Sequence, residues 1–94
     1  MSEVLRKYSK DLVKVLALSS PSNTILTTGL YSKSVIDEFE KLEITSESNP
    51  FKSATLLVNY IISRASQYKA EIWNELDSIE ALKDVMENIK KEGG

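Results

Sequence analysis

The chain has 94 residues, 41% of them hydrophobic and 28% charged, with 12 Lys and Arg against 14 Asp and Glu for a net charge of −2. That length supports one domain, near the lower limit for a chain that buries its own core, and the composition is that of an ordinary soluble protein rather than a disordered one. With no Cys and no His, disulfide scaffolds, thiol nucleophiles, imidazole bases and Cys/His zinc sites are excluded, and a pI near 5.1 argues against a strongly basic nucleic-acid binder.

The periodicity predicts helices throughout. Leu5, Tyr8, Leu12, Val15 and Leu16 recur at spacings of three and four, an apolar stripe on a first helix, with Lys7, Lys10 and Lys14 along the opposite face. The pattern halts at Ser19-Ser20-Pro21. Ser20 is a candidate cap there, with Pro21 at the first helical position, where its missing N–H does no harm. A short second helix then carries Ile25, Leu26 and Leu30 and ends at Gly29, a residue suited to the left-handed position after a helix. A third helix starts near Ser32 or Ser34 and presents Val35, Ile36, Phe39 and Leu42 to the core, stopping before Thr45-Ser46-Glu47-Ser48.

Asn49-Pro50 is a cap followed by a first-position proline. The fourth helix has the strongest pattern: Phe51, Ala54, Leu57, Val58, Ile61, Ile62 and Ala65 form a wide apolar face that belongs to a central helix. Ser66-Gln67 breaks the pattern, and Tyr68, Ile72, Trp73 and Leu76 mark a fifth helix. Asp77 and Glu80 have capping-box spacing and would open a sixth helix carrying Ile79, Leu82, Val85, Met86 and Ile89. The expected domain is residues 1–91, with 92–94 a frayed tail or linker. With 3 Gly and 2 Pro, there is little turn chemistry for a β-sandwich. The expected class is a compact all-α bundle of five or six helices.

The longest apolar stretch, Ala54 to Ile62, is broken by Thr55 and Asn59 and falls short of the roughly 20 residues that span a bilayer. Met1-Ser2-Glu3-Val4 lacks the basic and apolar regions of a signal peptide, so a cytoplasmic location is expected.

Catalysis is not expected. The carboxylates that lie close in sequence, Asp37, Glu38 and Glu40, then Glu71, Glu75 and Asp77, face away from the apolar stripes of amphipathic helices, the pattern of a solvated face. No Gly-rich phosphate loop or acidic calcium loop is present, and no catalytic, metal or cofactor residue is assigned. The spacing of Ile25, Gly29 and Val35 leaves a helix-turn-helix DNA-binding regulator as the alternative. Its groove-entering helix would carry Asp37, Glu38 and Glu40, which phosphates repel. Phe39, Phe51, Tyr60 and Trp73 are expected in the core or at its edge, not as a stacking platform.

The order of the charges is more informative than their total. Residues 1–36 hold five basic against two acidic side chains, and 37–47 hold five acids against Lys41. Residues 48–70 hold three basic residues alone, and 71–94 hold seven acids against three lysines. A small bundle with separate basic and acidic faces can associate head to tail with itself or a relative, building rings or open filaments. The alternative is that such blocks are simply solvated helix surface.

Several segments carry a resemblance in the order expected. Ile25-Leu26-Thr27-Thr28-Gly29-Leu30-Tyr31-Ser32, Ser34-Val35-Ile36-Asp37-Glu38-Phe39 and Ala54-Thr55-Leu56-Leu57-Val58-Asn59-Tyr60-Ile61-Ile62 are similar to the second, acidic third and apolar fourth helices of the caspase recruitment domain, a branch of the death-fold superfamily. Tyr68 to Leu76 and Ile79 to Met86 resemble its fifth and sixth. The Arg-x-Asp-Leu motif of the related death-effector branch is not evident. The resemblance implies a compact antiparallel six-helix bundle of Greek-key, death-fold type. It also implies a non-catalytic adaptor that recruits domains of the same kind into apoptotic or inflammatory signalling complexes, without cofactor, nucleic acid, membrane or small-molecule substrate. Mapped onto this chain, it assigns a basic face to Lys7, Lys10, Lys14 and Lys52 and an acidic face to Asp37, Glu38 and Glu40. The basic residues are lysines where the family is often arginine-rich, and Thr55 and Asn59 stand where a further cation is expected. Lysine is a point charge without arginine's bidentate fork.

Overall fold

In the computed structural model, which describes residues 2–93, the helical periodicity becomes seven α-helices and one 3₁₀ turn, with no strand among the described residues. The helices are α1 (Ser2–Lys7), α2 (Ser9–Leu18), α3 (Ser20–Ser32), α4 (Glu38–Ser46), α5 (Pro50–Arg64) and α6 (Lys69–Asp77), followed by a 3₁₀ turn at Glu80–Leu82 and α7 (Lys83–Lys91). The radius of gyration is 11.8 Å, against about 12 Å for a compact chain of this length. No helix among the described residues is long and apolar enough to cross a membrane.

The first apolar stripe is divided between two helices. Tyr8 has ψ 12°, away from the helical value near −42°, and the helix is interrupted there. Leu5, Leu12 and Leu16 are nonetheless buried together, with Tyr8 and Val15 at the edge of the core. Both prolines stand near helix starts as expected, although the residue preceding α3 is Ser19 rather than Ser20. Ser19 bonds the Ser22 hydroxyl at 2.8 Å instead of capping a backbone N–H.

The end of α3 corrects the sequence expectation. Gly29 does not stop the helix, which runs on to Ser32. The left-handed residue is Ser34, at φ 61°. Val35 N–H donates to the Leu30 carbonyl at 2.9 Å and Ser34 N–H to that of Tyr31 at 3.0 Å, the two bonds of a Schellman end. Val35 and Leu30, both buried, supply its hydrophobic contact.

A second correction follows downstream. Val35 and Ile36 are buried, but in the link before α4, because Asp37 starts a new helix with a full capping box. Glu40 N–H donates to Asp37 Oδ1 and Asp37 N–H to Glu40 Oε1, both at 2.8 Å. The register of α4 is therefore not that of Val35 and Ile36. Phe39 and Leu42, expected in the core, lie outward at 84% and 53% exposure, and Ile44 is the residue α4 buries.

The central helix is α5. Asn49 caps it, its Oδ1 accepting from the N–H groups of Phe51 and Lys52 at 2.9 and 3.1 Å. Ala54, Leu57, Val58 and Ile61 are buried, as is Ala65 just past its end. α2 packs most extensively against it, and α1, α3 and α4 also touch it. Ser53 is the polar exception in the buried row. Its hydroxyl donates to the Ile44 carbonyl at 2.7 Å and accepts from Asn23 Nδ2 at 3.3 Å. Asn23 Oδ1 in turn accepts from the buried Thr27 hydroxyl at 3.2 Å. This satisfied polar chain ties α3, α5 and α4 together inside the bundle.

α6 buries Ile72 and Leu76, with Trp73 half-buried. The expected capping box at Asp77 and Glu80 is absent: Asp77 ends α6 and its Oδ1 pairs with Lys90 at 2.8 Å. Ile79, Leu82, Met86 and Ile89 reach the core, and Val85 packs at its edge. Of the expected tail, Glu92 accepts hydrogen bonds from Lys7 and Tyr8, while Gly94 lies outside the described residues.

Candidate interaction surface

The predicted basic residues divide into two groups. Lys7 is drawn to the chain's other end, its Nζ 2.5 Å from Glu92 Oε1. That hydrogen bond raises the Lys7 pKa and lowers that of Glu92. Lys10 and Lys14, four residues apart on α2, stay exposed and have no ion-pair partner among the described residues. They flank an open groove of about 520 Å³ between α2 and α5, lined on its apolar side by Val13, Leu18, Phe51 and Val58. Leu18 is 71% exposed and Phe51 51%, although Phe51 was expected to face the core.

Thr55 and Asn59, the neutral residues where a cation was expected, also border this groove. An adjoining hollow shares Phe51 and Thr55 and includes Lys52. Lys52 lies in the first turn of α5, where the positive end of the helix dipole disfavours a cation. Its charge is therefore not there to stabilise the helix end.

The acidic residues have unequal duties. Asp37 and Glu40 form the capping box, and Glu40 Oε2 also takes Arg64 Nη2 at 2.5 Å. Glu43 accepts a hydrogen bond from the Tyr60 hydroxyl, which together with burial pushes the Tyr60 pKa up to about 12. The Arg64 guanidinium lies 5.1 Å from the Tyr60 ring centroid, and its pKa is raised first by the Glu40 bond. Glu38 is exposed and has no such structural partner among the described residues.

These contacts fix where the two faces lie. Tyr60 and Arg64, which hold α4, each stand nine residues beyond Phe51 and Thr55, which line the groove. Nine residues are about two and a half turns, so the groove and α4 lie on opposite sides of α5. Phe39 and Leu42, three residues apart on α4, share its outward side. At 100° per residue, Glu38 and Glu43 flank this pair.

The residues that spacing did not identify are the apolar ones. Val13 and Leu18 fall off the buried stripe of α2, and that displacement was their only signal. Phe39 and Leu42 were hidden by a mistaken helix start, which the Asp37-Glu38-Phe39-Glu40 capping pattern could have corrected. The helix-turn-helix spacing does not survive either, since Ile25 is exposed and Gly29 lies within α3. No family model, curated protein or solved structure matches the chain.

Proposed function

We propose that the chain is a non-catalytic interaction domain of the caspase-recruitment type, associating with domains of its own kind to assemble apoptotic or inflammatory signalling complexes in the cytoplasm. The observation that carries this reading is the division of charge about α5. Lys10 and Lys14 flank the groove on one side, while the acidic helix α4 is held on the other. The two faces of one molecule cannot neutralise each other, but those of two molecules can. Such a contact is heterologous, so it extends to oligomers or filaments unless the rotation closes. The helix order accommodates the six-helix Greek-key layout of the death fold when α1 and α2 count as one interrupted helix and the 3₁₀ turn with α7 as the last.

The test is association by concentration-dependent light scattering with Lys10→Glu and Glu38→Lys. Glu38 is a better probe than Asp37, because Asp37→Lys also removes the cap of α4, at about 1 kcal/mol. Each variant should associate weakly alone, and mixing the two should recover binding through the intact face of each. Raising the salt should weaken wild-type association, since exposed charges are screened. Association indifferent to both substitutions and to salt would sink the reading. A low-salt gel shift with duplex DNA that shows retention would favour nucleic-acid binding instead, by a surface other than the helix-turn-helix that the spacing suggested.

A further inference from the structure

From the outward side of α4 and the groove between α2 and α5, we infer a knob-and-groove contact between two copies of this chain, in which Phe39 and Leu42 of one enter the groove of the next. This rests on the head-to-tail reading above and adds the source of its affinity. Exposure of Phe39 at 84% and Leu42 at 53% leaves two large apolar side chains in water at one site, with Glu38 and Glu43 on either side. The groove is the counterpart in both respects: Val13, Leu18 and Phe51 offer apolar surface, and Lys10 and Lys14 supply the opposite charge beside it. An apolar centre with a charged rim is the usual anatomy of a specific interface, the centre holding the partner and the rim selecting and orienting it. Because knob and groove lie on opposite sides of α5, a molecule cannot fill its own groove, and a second copy is the occupant whose chemistry the chain itself supplies.

The two parts respond differently to salt, which makes the inference separable from the charge mechanism. Sedimentation of the full chain at low and high salt should show Phe39→Ala weakening self-association roughly 30-fold at both. Lys10→Glu should weaken it mainly at low salt. Phe39 is too exposed to support the fold, so circular dichroism and the melting temperature should not change. Phe51→Ala should weaken association likewise, and a mixture of the Phe39 and Phe51 variants should recover it through their one intact pairing. If Phe39→Ala associates like wild type while Lys10→Glu does not, the apolar contact is wrong and the charge reading stands. If Phe51→Ala alone weakens association, two grooves face each other and the inference fails. A wild-type chain that remains monomeric at millimolar concentration also overturns it, leaving the groove to a different protein.

Discussion

The carboxylate of Glu75 occupies the space where a side chain at position 29 would begin: a Cβ on Gly29 would stand 1.7 Å from Glu75 Oε1. The other oxygen of that carboxylate pairs with Lys33 Nζ at 2.8 Å, just past the end of α3. Glycine here leaves room for the Glu75 side chain rather than ending a helix. Alanine would favour the helix by about 1 kcal/mol but would displace Glu75 from Lys33. Gly29→Ala alone should therefore stabilise by less than that, between about 0 and 1 kcal/mol, since the partly exposed ion pair it disrupts contributes up to about 1 kcal/mol. In a Glu75→Ala background the same change should stabilise by about 1 kcal/mol. Equal effects in the two backgrounds, measured by urea unfolding, would show that Glu75 does not constrain the site.

Ser34 ends α3 in the left-handed region at φ 61°, where a side chain costs roughly 1 kcal/mol and glycine is the usual occupant. Ser34→Gly should raise the melting temperature by about 4 °C or more, because both Schellman bonds use backbone atoms that glycine keeps. A lower melting temperature would mean that the serine side chain supports the turn in a way its exposed position does not suggest.

The Tyr60–Glu43 bond makes the α4–α5 seam sensitive to alkali. Tyr60 is raised in the folded state to about 12 from 10.0, so the unfolded chain releases this proton first. The stabilisation is complete below the unfolded value and disappears as pH rises from about 10 to about 12. Tyr8 is raised as well, by its bond to Glu92, so tyrosinate absorbance should show two delayed steps among the four tyrosines, and Tyr60→Phe should remove the one at about 12. A titration unchanged by that substitution would place the late step elsewhere.

Acid acts on the other end of the bundle. Glu92 is lowered from 4.5 by hydrogen bonds from Lys7 and Tyr8, so its contribution is present above the ordinary carboxylate value and is lost as pH falls through its folded value. Protection of the α1 amides from hydrogen exchange, taken relative to the intrinsic rate at each pH, should fall over that acidic range in wild type. In Glu92→Gln, the α1 amides should be less protected than in wild type at neutral pH and lose less protection on acidification. An identical exchange profile in the two proteins would detach α1 from the chain's last residues.

The helical class, the central place of the Ala54–Ala65 segment and the Asn49-Pro50 start were legible without a structure, because each is local: apolar spacing and capping chemistry act within a few residues. The lysine pair at positions 10 and 14 was legible for the same reason. Local rules also misled. Asp77 and Glu80 have capping-box spacing but do not cap, whereas Asp37 and Glu40, equally spaced, do. The spacing is shared; what differs is the packing that follows, which buries Ile44 after one and continues a 3₁₀ turn after the other.

By itself, then, the sequence determined which segments coil, where charge accumulates and what chemistry lacks its residues. Tertiary structure alone decided that Gly29 admits Glu75, that Phe39 points to solvent, and that Lys10 and Glu38 face opposite ways about α5. Those outcomes depend on which side of each helix meets a neighbour, and that is settled by burying apolar surface across the whole chain at once, not by any window of residues.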